Sequence, residues 1–264
     1  MICAVNDAQR QQHFVDALAP ADPVCVQLGA HIQAFGASPG SGRQFYTTEQ
    51  EHPPFALEVT GDTARCAGAC DEEELGSFLR FLGVQQVFWQ GAAPAGYELD
   101  VPVERFCLAA GQSLPLTQQA PPMGLVLEKE PAMGPVTQLL MQGDPEKSSQ
   151  DFFDAFYAAA CALRNRGLAQ IWALTQTDGT PMVTCGAYAF WQDHVYLSAL
   201  HTRSDLRRQG IGSWLVCAQA NHMTAQGLTA EFLCEKVLAG YYRALGFCPA
   251  GTMQRYRAAH DQEK

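Results

Sequence analysis

Two arginines and two glycines stand together just ahead of an apolar run, in the stretch LRRQGIGSWL at residues 206–215. The first amide groups of a helix have no partner within it, and the helix dipole adds positive charge at that end. Gly210 and Gly212 carry no side chain that would hold a ligand away from such amides, while Arg203, Arg207 and Arg208 add charge and bidentate donors. The stretch therefore predicts a polyanion site, most simply for a pyrophosphate. The alternative is a surface turn with solvated arginines.

The elements that would position this stretch follow from the hydrophobic pattern around it. HVYLSALHT (194–202) is a predicted strand that leads into the turn, and residues 208–226 are a predicted helix. LTAEFLCE (228–235) alternates in hydrophobicity as a strand does, and KVLAGYYRALG (236–246) predicts another helix. A glycine ends each helix, and residues 247–259 supply the last strands.

The residues before this region predict further elements of both kinds. MGLVLEKE (123–130) is a predicted strand, and residues 148–167 are a predicted helix with Ser148 or Ser149 as its cap. Residues 169–191 predict a hairpin, because Asp-Gly stands where its turn would be.

The first part of the chain predicts helices at 8–18 and 71–83 and strands at 54–61 and 84–89. Its loop GASPGSGRQ (36–44) lacks the Lys-Ser/Thr ending of a phosphate-binding loop and is predicted to be a plain connector. The carboxylates that open the second helix favour a helix N-terminus over paired catalytic acids. This part shows no catalytic constellation.

An uncharged, proline-containing stretch, AAGQSLPLTQQAPP at residues 109–122, has the composition of a linker. It predicts a smaller α/β domain at 1–109, a linker at 110–122 and a second domain at 123–264. Both domains have ordinary sizes.

The composition is that of a folded, acidic chain. The 264 residues are 47% hydrophobic and 17% charged, and the formal net charge is −10. Residues 1–122 carry 14 acids and 5 bases, whereas residues 123–264 carry 13 acids and 12 bases. General nucleic-acid binding needs a basic face, so this composition argues against it.

The ten cysteines are mostly scattered singly, and only Cys66 and Cys70 lie close together, with no histidine near them. This spacing predicts neither a disulfide framework nor a zinc site, and no metal is expected. Asp7 and Arg10 interrupt the N-terminus before a long apolar run forms, so a signal peptide is not predicted. We expect a cytoplasmic chain with no membrane partner.

Two motifs resemble those of the GNAT superfamily, the GCN5-related N-acetyltransferases. Residues 207–212, RRQGIG, match the family's Arg-x-x-Gly-x-Gly/Ala acyl-CoA motif. Residues 241–247, YYRALGF, resemble its Tyr-x-x-Leu-Gly-Phe ending. The resemblance covers roughly 123–264. It departs from the family pattern at Thr202 and Ser204, where Val and Pro are common, and at Glu235, where Asn is common.

The resemblance implies an α+β fold with a central mixed, mostly antiparallel sheet flanked by helices. The first domain would be either a degenerate copy of this fold or a family-specific cap over the acceptor pocket. Acetyl-CoA would be the acyl donor. Backbone amides of 208–213 would cradle its pyrophosphate, and 200–202 would pair with the pantetheine arm and hold the thioester oxygen. The implied acyl-CoA contacts are Leu200, His201, Thr202, Arg207, Arg208, Gln209, Gly210, Ile211, Gly212 and Ser213.

The resemblance makes Tyr242 the general acid that protonates the departing thiolate. A thiol titrates near 8.5 and tyrosine near 10, so this proton transfer is only mildly uphill. The alternative is that Tyr242 is a core aromatic on an amphipathic helix. Tyr241 competes for that description, since only one of the two can face the cofactor.

The general base is left open among Glu231, Glu235 and His201, with Glu231 as the chosen candidate. Glu231 could instead be a solvated strand residue, and His201 could simply pack. Cys234 could be an acylated nucleophile, but a cysteine in an apolar strand is more often a core residue.

The predicted function is acyl-CoA-dependent N-acyl transfer, most simply of acetyl from acetyl-CoA to a primary amine by direct attack in a ternary complex. One alternative is a non-catalytic acyl-CoA-binding sensor. Another makes the first domain a partner-binding module on the second as a scaffold.

Overall fold

A computed structural model describes residues 1–36, 42–49, 51–142 and 149–259. The helices are α1 (Ala8–Asp16), α2 (Pro23–Phe35), α3 (Glu72–Phe81), α4 (Met133–Met141), α5 (Gln150–Asn165), α6 (Ile211–Ala225) and α7 (Ala239–Leu245). The strands are β1 (Ile2–Ala4), β2 (Arg43–Thr48), β3 (Phe55–Thr60), β4 (Thr63–Gly68), β5 (Gln86–Phe88), β6 (Tyr97–Leu99), β7 (Val103–Leu108), β8 (Val126–Glu128), β9 (Gln170–Thr175), β10 (Pro181–Trp191), β11 (His194–Thr202), β12 (Thr229–Cys234), β13 (Cys248–Met253) and β14 (Arg255–Ala258).

The chain forms two compact units. The first comprises Met1–Arg105, Leu233–Ala239 and Ala250–Lys264, and the second comprises Phe106–Phe232 and Gly240–Pro249. These bounds differ from the division at 109–122 that the sequence predicts. The difference arises because β14, near the end of the chain, is hydrogen-bonded into the sheet of the first unit.

The first unit contains a seven-stranded sheet in the order β1-β2-β3-β4-β5-β14-β6. Its neighbouring strands are antiparallel except β4 and β5, which are parallel. An aspartate caps the start of each of its three long helices, at Asp7, Asp22 and Asp71. Buried Phe55 and Leu79 belong to its hydrophobic core.

A buried ion cluster lies within this unit. Glu58 is completely buried, and its carboxylate accepts hydrogen bonds from His31 Nδ1 at 2.9 Å and from the Arg43 guanidinium. Arg65 adds a second guanidinium at 3.6 Å. Burial disfavours the Glu58 carboxylate, but the cationic neighbours outweigh it and hold the pKa of Glu58 well below its usual range. Burial lowers the pKa of His31 to about 4.

The second unit is built around a sheet in the order β13-β7-β12-β11-β10-β9-β8. From β8 to β11 the neighbours are antiparallel, and β11 and β12 are parallel. Helices pack on both faces of β10, and residues 181–189 of this strand are buried throughout. Burial on both faces explains why β10 is an almost continuous apolar run rather than an alternating one.

The two sheets repeat one strand order. The first sheet runs from β1 to β5 in chain order, and the second, read from its other end, runs from β8 to β12 in chain order. In each sheet a strand from elsewhere in the chain comes next, and the strand that follows the first five in the chain, β6 or β13, lies at the edge. The inserted strand is β14 in the first sheet and β7 in the second. Each has its parallel pair between its fourth and fifth strands. The predicted α+β fold with mixed, mostly antiparallel sheets is confirmed, and the first unit is a second copy of the same topology.

Most predicted elements of the second half are confirmed, including β11 at its predicted bounds, the Asp-Gly hairpin and the Ser149 cap of α5. Helix α6 begins at Ile211 rather than at residue 208, because Arg208 and Gly210 have left-handed backbone angles. Helix α4 was not predicted. The alternative cap Ser148, and residues 37–41 of the predicted connector, lie outside the described residues.

The predicted linker lies along helix α6. The side-chain amide of Asn221 donates to the carbonyl of Leu114 at 2.9 Å and accepts from its amide at 2.6 Å. The indole of Trp214, in the first turn of α6, donates to the carbonyl of Gln118. None of the helices that the structure describes is long and apolar enough to cross a membrane.

Candidate functional site

The turn between β11 and α6 takes its shape from two residues with positive φ. Arg208 has φ 62° and Gly210 has φ 77°. Gly210 is the N-cap of α6, and its carbonyl accepts from the amide of Trp214 at 2.9 Å. A glycine suits this position because it adopts the left-handed region without strain.

The first turn of α6 is electrostatically prepared for an anion. Gly210 has no side chain to cap the amides of Ile211, Gly212 and Ser213. Within the first turn of α6, which the structure describes in full, there is no acidic residue. The helix has 15 residues, so its dipole is fully developed. These amides can therefore donate to a phosphate.

Gly212 is required by close packing rather than by its backbone angle. A Cβ at this position would lie 2.7 Å from Thr202 Oγ1 and 3.7 Å from Leu200 Cδ1. The first turn of α6 thus lies directly against the end of β11. No neighbouring atom lies within 4 Å of a Cβ built at Gly210. Glycine is therefore favoured at Gly210 by its backbone angle and at Gly212 by close packing.

The arginines of the turn have distinct partners. The Arg207 Nε donates to the carbonyl of Thr202 at 3.0 Å, which fixes its side chain at the end of β11. Arg203 makes a bidentate pair with Asp205, with two bonds of 2.7 Å. Arg208 is exposed, and the side chain of Gln209 donates to the carbonyl of Asp205. Of the three arginines, Arg207 and Arg208 are thus the ones not paired to Asp205.

Strand β11 presents an open edge towards the same turn. Over the described residues of both strands, its parallel pairing with β12 covers only His194 to Tyr196, opposite Thr229 to Glu231. On its other side the register with β10 shifts between Ser198 and His201, at a bulge where Ala199 has φ 55°. Beyond Tyr196 the register with β12 does not continue, so this end of β11 is the side on which an extended ligand can be added as a strand.

The two tyrosines of α7 point to different neighbours. The Tyr241 hydroxyl lies 3.0 Å from Ser213 Oγ in the first turn of α6. The ring of Tyr242 packs at 4.4 Å from the ring of Phe232 on β12, and it also meets Phe106 and Phe247. The pairing of β11 with β12 ends at Glu231, and this point is the fork of the sheet. Phe232 is the next residue, so the ring of Tyr242 lies near the fork.

The carboxylate of Glu231 is buried and is held by a histidine. Only 4% of the residue is exposed, and its Oε1 makes a short contact with His194 Nδ1. The other ring nitrogen of His194 lies 3.5 Å from Asp193 Oδ1. Glu231 is therefore not a solvated strand residue but the inner member of a carboxylate–histidine pair.

The other base candidates are placed differently. His201 is half-buried and pairs with Thr184 of β10. Cys234 is buried at the end of β12, and the next residue, Glu235, is exposed and lies 4.0 Å from Arg255. Residues 200–202, 207–213, 231 and 242 all belong to the second unit. The described residues contain no group of three or more His, Cys, Asp or Glu side chains placed to hold a metal ion.

Two contacts of this site were not predicted. From the sequence, Tyr241 is only the alternative to Tyr242 as the tyrosine that faces the cofactor. The hydrogen bond between Tyr241 and Ser213 depends on how α7 lies against α6. The partner of Glu231 depends on the register between β11 and β12, which sets His194 opposite Thr229, two residues before Glu231. No local signal in the sequence gives this register.

Solved structures with the same fold cover nearly the whole chain. A tandem GNAT protein from the clavulanic acid biosynthesis pathway, solved without AcCoA, is 14% identical with a TM-score of 0.63, covering 97% of each chain. A GCN5-related N-acetyltransferase from Kribbella flavida is 15% identical with a TM-score of 0.57, covering 88% of this chain and 95% of its own. A putative GNAT acetyltransferase from Novosphingobium aromaticivorans is 18% identical with a TM-score of 0.56, covering 90% and 97%.

The sequence itself matches one family. No curated protein has a sequence that matches this chain significantly. The Acetyltransferase (GNAT) family, however, matches residues 134–247, which include the β11–α6 turn and both tyrosines of α7. Over residues 134–247 the chain is therefore similar to the acetyltransferases of the GNAT family.

Proposed function

We propose that this protein is an acyl-CoA-dependent N-acyltransferase that transfers acetyl from acetyl-CoA to a primary amine by direct attack in a ternary complex. The observation that carries the proposal is the meeting of two binding elements at one point. The uncapped N-terminus of α6 and the open edge of β11 touch where Gly212 lies against Thr202. One element suits a pyrophosphate, and the other suits the extended arm attached to it.

The pyrophosphate would lie on the amides of 208–213. The left-handed angles at Arg208 and Gly210 turn the chain so that the helix begins immediately after the loop. Arg207, anchored on the Thr202 carbonyl, and the exposed Arg208 would add charge beside the phosphates. Arg203 would contribute less, since Asp205 already neutralises it.

The pantetheine arm would run along β11 from Thr202 towards the fork at Tyr196. Its amides would pair with backbone groups of residues 200–202, as an added strand does. The bulge at Ala199 changes the register of β11 at this point, and the regular register with β10 skips Leu200 and its amide. That amide would hold the thioester oxygen, and a fixed donor of this kind contributes about 100- to 1,000-fold to turnover.

The chemistry then needs one base and one acid. The nitrogen lone pair of the neutral amine attacks the thioester carbon, and negative charge collects on the oxygen at the Leu200 amide. The C–S bond breaks, the thiolate takes the proton of the Tyr242 hydroxyl, and the amine proton passes to Glu231 directly or through water. His194 holds the Glu231 carboxylate in place for this role.

Two measurements test the proposal. Acetyl-CoA is expected to raise the melting temperature of the protein, because a ligand that binds only the folded state stabilises it. Release of free CoA thiol is then followed with a panel of primary amines. Stabilisation together with amine-dependent release supports the transferase. Stabilisation without release from any amine favours the acyl-CoA sensor. The absence of both stabilisation and thiol release would rule out the acyl-CoA site itself.

A further inference from the structure

The hydroxyl of Tyr188, on β10, is buried and has no hydrogen-bond partner among the described residues. The residue is only 9% exposed. A buried polar group without a partner is destabilising, and most such groups in native proteins find one. Burial also raises the pKa of Tyr188, so its hydroxyl stays protonated and uncharged. The proposed function makes no use of this group.

The ring of Tyr188 folds back over Gly186 on the same strand. A Cβ at Gly186 would lie 2.1 Å from Cε2, 2.6 Å from Cδ2 and 2.8 Å from Cζ of Tyr188. Only glycine leaves room for the ring, which brings its hydroxyl end to the level of Gly186. The tyrosine is therefore held in one direction by its own strand.

Gly186, which the ring covers, lies next to the bulge of β11. Gly186 is paired with Ser198, the residue just before the bulge. Ala199, which forms the bulge, packs against the same hydrophobic cluster as Tyr188. The next residue is Leu200, whose amide would hold the thioester oxygen. The cluster that contains Tyr188 is thus in contact with the part of β11 where the acyl group would be attacked.

The surroundings of the hydroxyl are apolar and aromatic. Phe156 of α5 has its ring centroid 5.5 Å from that of Tyr188, and it stacks on Phe152 at 5.6 Å with an interplanar angle of 17°. Met133 of α4 belongs to the same cluster. Such surroundings disfavour an ammonium and favour the neutral amine, which is the form that attacks a thioester.

We propose that Tyr188 and Phe156 form the acceptor side of the reaction centre, and that the acceptor is a primary amine on an aromatic or other apolar frame. This inference rests on the proposed function. The phenol oxygen of Tyr188 accepts one N–H of the bound amine, which leaves the nitrogen lone pair for the thioester. Phe156 packs against the apolar frame of the acceptor.

The test compares Tyr188→Phe with the wild type, and uses 2-phenylethylamine and lysine as probes. Removal of an unpartnered buried hydroxyl leaves the melting temperature unchanged or raises it. We expect kcat/KM for 2-phenylethylamine to fall about tenfold or more, while the Kd of acetyl-CoA stays the same. Tyr157→Phe, which changes a tyrosine of α5 that is 42% exposed, serves as the matched control and should leave both quantities unchanged.

A second variant tests the acceptor class without touching the hydroxyl. Phe156→Leu keeps an apolar side chain but removes the ring, and it should lower kcat/KM for 2-phenylethylamine more than for lysine. The inference is wrong if lysine is the better substrate of the wild type, if 2-phenylethylamine is not acetylated, or if Tyr188→Phe has wild-type kinetics. Those results leave acetyl-CoA binding and turnover with other amines intact. Failure of the proposed function would appear as a wild type that does not bind acetyl-CoA, or that binds it and releases no thiol with any amine of the panel.

Discussion

The hydroxyl of Tyr241 lies 3.0 Å from Oγ of Ser213, whereas the ring of the adjacent Tyr242 lies 4.4 Å from the ring of Phe232. Two consecutive side chains of α7 therefore reach two different elements, the first turn of α6 and strand β12. The first is where the pyrophosphate is proposed to bind, and the second is beside the fork of the sheet. This separation lets one tyrosine support binding of the donor while the other takes part in the chemistry.

Exchanging each tyrosine for phenylalanine should therefore give two different defects. Tyr242→Phe is expected to lower kcat by about 100-fold or more, because general acids contribute in that range, with little change in the Kd of CoA. Tyr241→Phe loses one hydrogen bond to Ser213 and should weaken CoA binding by a few-fold with a smaller effect on kcat. Turnover assays and calorimetry on both variants distinguish the roles, and reversed phenotypes would show that the tyrosines have been assigned the wrong way round.

The contact between Gly212 and Thr202 predicts a specific rescue. Gly212→Ala places a methyl group 2.7 Å from Thr202 Oγ1, which should destabilise the protein by about 1–3 kcal/mol and disturb the turn. Thr202→Ala removes the oxygen that clashes, so the double variant should recover most of the lost stability. Chemical denaturation of the two single variants and the double variant measures this coupling. Additive losses would mean that the two residues are not in contact.

The pair of Glu231 and His194 predicts separable effects on stability and turnover. Glu231→Gln keeps the shape but removes the base, so kcat should fall while the folded state persists. His194→Ala leaves a buried carboxylate without this partner, and such losses are about 3–5 kcal/mol. His194→Gln retains a donor and should lose less. Melting curves and thiol-release rates check both points, and a Glu231→Gln variant with normal kcat would remove Glu231 from the mechanism.

The buried cluster of the first unit predicts sensitivity to acid. Burial lowers the pKa of His31 to about 4, whereas an unfolded histidine titrates near 6.5. The unfolded state therefore binds the proton first, and the stability from keeping His31 neutral is present above about pH 6.5 and is lost as the pH falls towards 4. The loss is on the order of 3 kcal/mol.

This acid sensitivity can be isolated by substitution. The melting temperature of the wild type should fall between pH 6.5 and 4, and His31→Gln should flatten the curve in that window. Glu58 acts at lower pH. Because its pKa is lowered in the folded state, the stability that its charged form gives the fold is present above the pKa of an unfolded carboxyl group and is lost as the pH falls below it. His52→Gln, at an exposed histidine, is the matched control. Equal slopes for all three proteins would contradict the account of His31.

The binding turn could be predicted from the sequence because its physics is local. Two glycines, an adjacent arginine pair and the apolar pattern of a helix lie within ten residues, and the structure puts β11 and α6 on either side of them. The start of α6 was set three residues too early, since hydrophobic periodicity does not report the left-handed angle of Arg208.

The rest of the site depends on contacts between distant residues. The partner of Glu231 requires the register of a parallel strand pair, and the buried position of Tyr188 requires a glycine two residues away on the same strand. The membership of β14 in the first sheet could not be predicted either. Its partners Phe88 and Leu99 lie more than 150 residues earlier in the chain.

The most direct measurement of the central claim is a calorimetric titration of CoA into the wild type and into Arg207→Ala/Gly210→Asp. The double variant removes one charge and sets a carboxylate where the pyrophosphate is proposed to lie. Gly227→Asp is the control, since Gly227 at the other end of α6 has a similar left-handed φ of 84°. The account predicts that the wild type and the control bind CoA and that the double variant remains folded but does not. Unchanged CoA affinity in the folded double variant would contradict it.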